Sequence, residues 1–270
     1  FMTHDYSWGW SGTVWAREML EPVGATEIGE AKIPLGTRDF SSYLLKLSNS
    51  DADVVVCTVG GFDMIAMYRQ MNDFGIFDKM AVWHTLENYA DAISLEPEQR
   101  GAYGTYEIYQ TVNDELQAFS DRMNEEYPGQ LCGVVESNAY HGWLSMIALL
   151  QGMEKAGNTD VGDVIAAMEG MVIEDNMQPD PTVIRPWDHQ MLDSIFFGQD
   201  LKVSGPDIVD IKFSYKAEDY ARTQEENPVD LPLDSIDNLS RYAKYINVSG
   251  GEPFLHPGLP AVIKRIKRAS

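Results

Sequence analysis

Asp53-Val54-Val55-Val56-Cys57-Thr58-Val59-Gly60-Gly61-Phe62-Asp63-Met64-Ile65 takes the chain from an apolar strand, through two glycines, into a helix whose Met64, Ile65, Tyr68 and Met71 recur at helical spacing. The run of valines into Cys57 offers water no polar face, so the strand is predicted to be covered on both sides, as strands of parallel sheets are. A helix that starts where such a strand stops makes a βα unit. Bare glycines let a ligand come close to the backbone, and free amides with the positive end of the helix dipole favour a carboxylate at the strand's carboxyl end. The same residues also suit a plain βα turn that holds nothing.

Working outward, Phe1-Met2-Thr3-His4-Asp5 reads as the last part of a buried strand, which places the natural amino terminus upstream. Ser11 is predicted to cap a helix with Val14, Trp15, Met19 and Leu20 on one face, closed by Gly24. Thr26 to Ile33 alternates weakly as a strand, and Asp39 or Ser41 caps a helix with Phe40, Tyr43, Leu44 and Leu47 inward. The helix from Met64 ends at Gly75; Lys79 to His84 is a further short strand and Ala102 to Gln110 a tyrosine-rich extended stretch. Alternating strands and helices predict a parallel sheet. Three helices follow, Asp114 to Tyr127, about Val135 to Lys155, and Val161 to Met171 capped by Thr159 or Asp160. The middle one carries Tyr140, Trp143, Ile147, Leu150 and Met153 and must cover something. Thr182 to Arg185, Ser194 to Phe197 and Ile208 to Phe213 read as short strands in a tail punctuated by Pro and Asp, so the fold class is α/β with a helical middle.

The 270 residues, 44% of them apolar and 11% aromatic, suffice for one large or two modest packed domains. A net charge of −22 repels phosphate backbones and anionic membrane surfaces, which argues against nucleic acid as a partner. Residues 241–270 depart from this with a local charge of +5, and Ile263-Lys264-Arg265-Ile266-Lys267-Arg268 reads as a solvated or docking tail. Cys57 and Cys132 make no disulfide framework and are expected to be reduced, buried thiols. The longest apolar run, Ala139 to Leu150, is interrupted by His141, Gly142 and Ser145 and falls short of the roughly 20 residues a bilayer requires, so no direct membrane insertion is expected. No Gly-x-Ser-x-Gly, His-Glu-x-x-His or phosphate-loop pattern occurs, which disfavours an enzyme and gives no cofactor a seat. Asp188-His189 is no metal pair, because neighbours on a strand face opposite ways.

Several short motifs stand in a characteristic order and spacing. They are Asp5-Tyr6-Ser7-Trp8-Gly9, Gly24, Asp39-Phe40-Ser41, Ala52-Asp53-Val54-Val55, Arg69-Gln70, Gly75 and Gly101-Ala102-Tyr103-Gly104, then Ala118-Phe119, Asn138-Ala139-Tyr140, Ala156-Gly157 and Ile184-Arg185-Pro186-Trp187-Asp188-His189-Gln190. Over residues 1 to about 200 this order resembles the leucine/isoleucine/valine-type periplasmic solute-binding proteins of ABC transporters. The resemblance implies two α/β lobes of the type I periplasmic-binding-protein architecture that close on a solute, with the early part of the amino-terminal lobe absent from this sequence. Residues 1–108 are then the carboxyl-terminal lobe and 109–184 the helical part of the amino-terminal lobe. Residues 185–214 are crossover and return strands, and 215–270 are unassigned.

Family positions that face the solute fall on Trp8, on Gly60, Gly61 and Phe62, and near Trp83 and His84; Tyr109, with Tyr103 and Tyr106, either lines the cleft or belongs to a half-buried strand. Trp8 and Trp10 either stack on the solute or plug the lobe surface. Amino-acid binders of the family tend to place an acid where His84 aligns, and a histidine suits a carboxylate or hydroxyl better than an ammonium. The function implied is capture of a small polar or amphipathic metabolite, such as a branched-chain amino acid, an amide or an organic acid, outside the cytoplasmic membrane for ABC permease subunits. A ligand-sensing domain of a receptor or regulator is the alternative from another class, and an amide- or ester-cleaving hydrolase comes third.

Overall fold

The computed structural model describes residues 1–129, 135–221, 223 and 225, and the elements below are those of the described residues. The first half holds β1 (Met2–His4), α1 (Ser7–Glu18), β2 (Ala31–Ile33), α2 (Ser41–Ser48), β3 (Val54–Thr58), α3 (Gly61–Asp73), α4 (Ile76–Lys79), β4 (Ala81–His84), α5 (Tyr89–Ile93) and β5 (Tyr103–Tyr106). There follow α6 (Asp114–Glu126), α7 (Ser137–Ala156), α8 (Val161–Met168), β6 (Val172–Ile173), β7 (Thr182–Ile184), β8 (Met191–Leu192), β9 (Ile195–Asp200), β10 (Val209–Tyr215) and α9 (Ala217–Tyr220). The described residues divide into two compact units, Phe1–Tyr140 with Ile195–Ser214, and His141–Ser194 with 215–221. Cys132 and the basic stretch 241–270 lie outside the described residues.

The first unit is built on a seven-stranded sheet in the order β10-β9-β5-β4-β3-β1-β2. Pairings from β2 through β5 are parallel, Val55 opposite Val82 and Met2 opposite Cys57, and β9 then runs antiparallel to β5. This is the α/β architecture expected from the alternating elements. Helices α2 and α3 cover one face, where Phe40, Leu44, Val55, Cys57, Met67, Tyr68, Met71 and Val82 form the main core. The Cys57 thiol is buried there, which pushes its pKa up to about 12 and keeps it inert. Leu44 is fully buried, and its truncation to alanine would cost about 2–5 kcal/mol. A second cluster of Tyr89, Tyr106, Tyr109, Phe196, Ile208 and Val209 closes the β5–β9 end. The tyrosine-rich stretch is β5 followed by a 3₁₀ turn, Gln110–Val112.

Helix α1 departs from its predicted register. It begins at Ser7 with Tyr6 as N-cap, one turn before the expected Ser11 cap, and Ser11 Oγ instead donates to the Trp8 carbonyl. Its buried residues are Gly9, Thr13 and Ala16, whereas Val14, Trp15 and Met19 are exposed. Small side chains let the helix lie close on the sheet: a Cβ on Gly9 would stand 2.2 Å from the His4 carbonyl oxygen. A chain of hydroxyls fixes the contact, with Thr13 Oγ1 2.8 Å from Thr3 Oγ1 and 3.0 Å from Thr58 Oγ1. Close approach and hydrogen bonding therefore override the apolar periodicity that suggested the opposite face.

In the second unit, α7 presents Leu144, Ala148 and Gly152 inward, a stripe of shrinking residues, and a Cβ on Gly152 would stand 2.4 Å from Met168 Cγ of α8. Leu150, predicted to be covered, is 54% exposed. Asp160 caps α8, accepting from the amides of Gly162 and Asp163. Strands β6, β7 and β8 form a small antiparallel sheet, and Arg185–Gln190 is the turn between β7 and β8. There Arg185 Nε donates to Asp188 Oδ1 at 2.9 Å and the guanidinium lies 4.1 Å from the Trp187 ring centroid, while His189 pairs with Glu169 at 3.0 Å. Asp188 and His189 thus turn to different partners.

Candidate functional site

Strand order places the topological switch point of the first unit between β1 and β3, because the chain leaves β1 toward β2 on one side and returns to β3 on the other. Ligands of open α/β sheets bind in the crevice outside the carboxyl ends of the strands at such a point. The loops there are Asp5–Tyr6, which leads into α1, and Val59–Gly60, which leads into α3. They meet: a Cβ on Gly60 would sit 3.6 Å from Trp8 Cη2, an ordinary contact distance that puts the glycine directly beside the indole. Gly61 has φ +64, a left-handed conformation open to glycine, and turns the chain sharply into α3. Phe62 then projects into solvent, 78% exposed.

The amides of this turn are engaged by the protein itself. Gly60 N donates to His4 Nδ1 at 3.4 Å, and Gly61 N donates to Asp91 Oδ2 of α5 at 3.1 Å. The predicted carboxylate at the amino end of α3 is therefore present, but it is the chain's own. Burial raises the Asp91 pKa, opposed by the Gly61 hydrogen bond. His4, with its Nδ1 accepting, uses Nε2 to reach Asp63 Oδ2 at 3.2 Å. Burial lowers the pKa of His4, and the Asp63 carboxylate works against that shift. Asp63 is the hub: it also accepts from Gly36 N at 2.7 Å and Arg38 Nη1 at 2.5 Å, tying together the loops after β1, β2 and β3.

On β4 the alternation of the pleat decides the roles. Val82 and His84 face the α3 core, and Trp83 faces the other way. His84 is 1% exposed; its Nε2 lies 2.8 Å from the Val59 carbonyl, its Nδ1 accepts from Leu86 N at 3.3 Å, and burial depresses its pKa. Trp83 shares with Trp8, Trp15, Met19, Thr85 and Leu86 an open cavity of about 330 Å³ between α1 and the carboxyl end of β4. The Trp83 indole Nε1 is buried with no hydrogen-bond partner. Behind the loop, Glu87 is buried with its carboxyl accepting from Tyr68 OH at 3.0 Å, and burial pushes its pKa up to about 8. Asp200, bonded by Tyr106 OH, is raised likewise, by burial first and the neighbouring Glu87 second.

The sequence profile described as periplasmic binding protein matches residues 1–205. The chain belongs to the periplasmic binding protein family. Its fold is also that of solved family structures. A periplasmic binding protein from Burkholderia mallei superposes with a TM-score of 0.75 at 22% identity, covering 84% of this chain and 60% of that one. A branched-chain amino acid ABC transporter periplasmic ligand-binding protein from Burkholderia xenovorans LB400 gives 0.71 at 22% identity, covering 83% and 60%. A solute-binding protein from Rhodopseudomonas palustris HaA2, in complex with p-hydroxybenzoic acid, gives 0.69 at 18% identity, covering 80% and 59%. The chain thus spans about 60% of the length of these relatives. No curated protein matches it at a significant level.

For this periplasmic binding protein the structure brings Trp8, Gly60, Gly61 and Phe62 together at one rim and sets Trp83 in the adjoining cavity. Two expected contacts are corrected. His84 has both ring nitrogens occupied inside the core, so it offers a solute nothing in this geometry. Tyr109 is 1% exposed, and its hydroxyl accepts from the amides of Ile208 and Val209 and reaches Asp207, which makes it a clasp for the approach to β10. The Gly60 and Gly61 amides act as anchors for His4 and Asp91 rather than as free donors. Sequence reasoning named Trp8 and Trp83 but missed Trp15 and Met19 as cavity wall, although they follow Trp8 at intervals of seven and four, the spacing of one helix face. It also missed Asp91, which lies on a helix too short to show periodicity.

Proposed function

We propose that this chain is the solute-binding part of an ABC importer's extracytoplasmic receptor, capturing a small polar or amphipathic metabolite by hinge closure. The observation that carries the proposal is the aromatic rim at the switch point, half-buried Trp8 against Gly60 with exposed Phe62 on the same turn, next to an apolar cavity at the strands' carboxyl ends. Family membership and the descriptions of relatives, among them a branched-chain amino acid transporter component and binders of p-hydroxybenzoic acid and benzoate, support solute capture. In this reading Trp8 and Phe62 stack on the solute, Gly60 and Gly61 set the shape of the rim, and Trp83 lines its floor. Residues 1–108 contribute the carboxyl-terminal lobe, 109–184 the helical coat of the amino-terminal lobe and 185–214 the return to the former. ABC permease subunits read the closed form, and the protein works outside the cytoplasmic membrane, in keeping with its family. Among the described residues no helix is long and apolar enough to cross a membrane.

A thermal-shift screen over branched-chain amino acids, amides, aliphatic acids and aromatic acids tests the proposal, since a solute that binds only the folded state raises Tm by mass action. At least one class is expected to raise Tm in a saturable manner without being consumed. Turnover of the solute would replace the reading with an enzyme, and a Tm indifferent to all four classes would remove its basis.

A further inference from the structure

Beneath the rim lie two acids that solute capture does not use. Glu87 and Asp200 are both buried, and each has one carboxyl oxygen bonded by a tyrosine hydroxyl, Tyr68 for Glu87 at 3.0 Å and Tyr106 for Asp200. The other oxygen of each, Glu87 Oε1 and Asp200 Oδ2, is buried with no hydrogen-bond partner. A carboxyl so placed is tolerable while neutral and costly once charged. Arg100, the cation that Asp200 feels, gives its donors to the carbonyls of Ala92, Ile93, Leu95 and Val203 instead. Glu87 otherwise faces Tyr68 of α3, Cys57 of β3, Tyr106 of β5, Asp91 of α5 and Asp200 of β9, none of which brings positive charge. His84 of β4, edge-on to Tyr68 at 6.3 Å, has its pKa lowered by burial and is neutral above pH 7. Burial pushes the Glu87 pKa up to about 8, opposed by the Tyr68 hydrogen bond and aided by Asp91.

The β4–α5 loop connects this proton to the rim. Glu87 N donates to the Thr105 carbonyl at 2.8 Å, and its side chain lies so close over β5 that a Cβ on Gly104 would stand 2.5 Å from Glu87 Cβ. The next residue, Asn88, caps α5, and α5 presents Asp91 to the Gly61 amide at 3.1 Å. Arg100 pins the far end of α5 through the Ile93 and Leu95 carbonyls, so displacement of Glu87 falls on the loop and the first turn. A charged Glu87 is driven toward water and repels Asp91. Both effects pull on the bond that holds Gly61, beside which Phe62 stands exposed.

We propose that Glu87 is a proton-operated prop for the rim: protonated, it keeps the loop packed over Gly104 and Asp91 on the Gly61 amide, and its deprotonation drives the loop outward and loosens that hold. The rim is thereby set in neutral surroundings and relaxed in alkaline ones. The inference rests on the solute-binding reading in taking this rim to be the solute's, while the prop itself is a property of the fold. His4, across the rim, has its pKa lowered by burial from 6.5 and titrates below this window.

Fluorine NMR of the 270-residue chain labelled with 4-fluorophenylalanine tests this, the Phe62 signal being assigned by its loss in Phe62→Leu. Between about pH 6.5 and about pH 9.5 the Phe62 signal is expected to shift with a midpoint near the Glu87 value of about 8. Glu87→Gln copies the shape of the protonated side chain without the ability to ionise, and is expected to abolish the shift. Tyr68→Phe removes the hydroxyl that stabilises the carboxylate, so the midpoint is expected to move upward in that variant. A Phe62 signal that stays still across the range, one that shifts equally in Glu87→Gln, or a midpoint unmoved in Tyr68→Phe would each overturn the prop. Solute capture is judged separately by the four-class screen, run at a single pH, so either idea can fail while the other stands.

Discussion

Gly9 and Thr13 decide whether α1 can sit where the rim needs it. A methyl group on Gly9 would collide with the backbone of His4, an atom that cannot swing aside as a side-chain tip can. Gly9→Ala is therefore expected to cost at least about 3 kcal/mol, at the upper end of overpacking effects, read as a lowered urea midpoint. Thr13→Val keeps the shape but breaks the hydroxyl chain from Thr3 to Thr58 in its middle, leaving two buried hydroxyls with fewer partners. Its expected cost is about 1–3 kcal/mol, and an unchanged midpoint would show that Thr3 and Thr58 re-pair without it. His84 teaches a related lesson. The sequence placed it correctly at the end of a strand, and the alternation of Val82, Trp83 and His84 already put it on the same face as buried Val82. Counting residues from the strand's start would have sent it to the core and Trp83 to the cavity.

At the scale of elements, what the sequence revealed depended on which force fixed each one. β3 and α3 were legible because uninterrupted apolar burial and a glycine pair leave few alternatives, and α2 because Phe40 and Leu44 are both large and buried. Helix α1 was misread because its sheet-facing residues are small, and smallness at Gly9, Thr13 and Ala16 looks like absence of signal to a rule that seeks large apolar residues. Helix α5 was illegible because five residues span little more than one turn, and its position is set by tertiary contacts such as Asp91 with Gly61. The loop between β4 and α5 carries a pH dependence of its own. Glu87 faces Tyr68 of α3, Gly104 of β5 and, electrostatically, Asp91 of α5 and Asp200 of β9, which also feels Arg100. Its pKa rises from 4.5 to about 8 on folding. Between those values the native state keeps a proton that the unfolded state has released, so stability falls as pH rises through this window and levels off above it. Stability by urea denaturation is expected to fall between about pH 6 and about pH 8.5, and Glu87→Gln to shallow that fall by about 2 kcal/mol or more. Parallel pH profiles for the variant and the parent would refute the assignment, whatever the variant's absolute stability.

At the scale of the whole chain, the sequence predicted the α/β class and the family correctly because those rest on the order of many elements, which no single misread face disturbs. Net charge is another property of the whole. At −22 the compact state holds its acids closer together than the unfolded chain does, and only part of that repulsion is relieved by local pairs such as Arg17 with Glu27 and Arg38 with Asp63. Raising NaCl from about 0.05 M to about 1 M shortens the screening length to about 3 Å, below the spacing of most surface charges but near the length of a direct ion pair. Long-range repulsion is therefore screened more completely than the short, partly buried pairs. Tm is expected to rise by several degrees over that range, most steeply at the low-salt end where the screening length changes most. A Tm that fell with salt would mean that the local pairs outweigh the collective repulsion and that the acidic surface is not a source of strain in the folded chain.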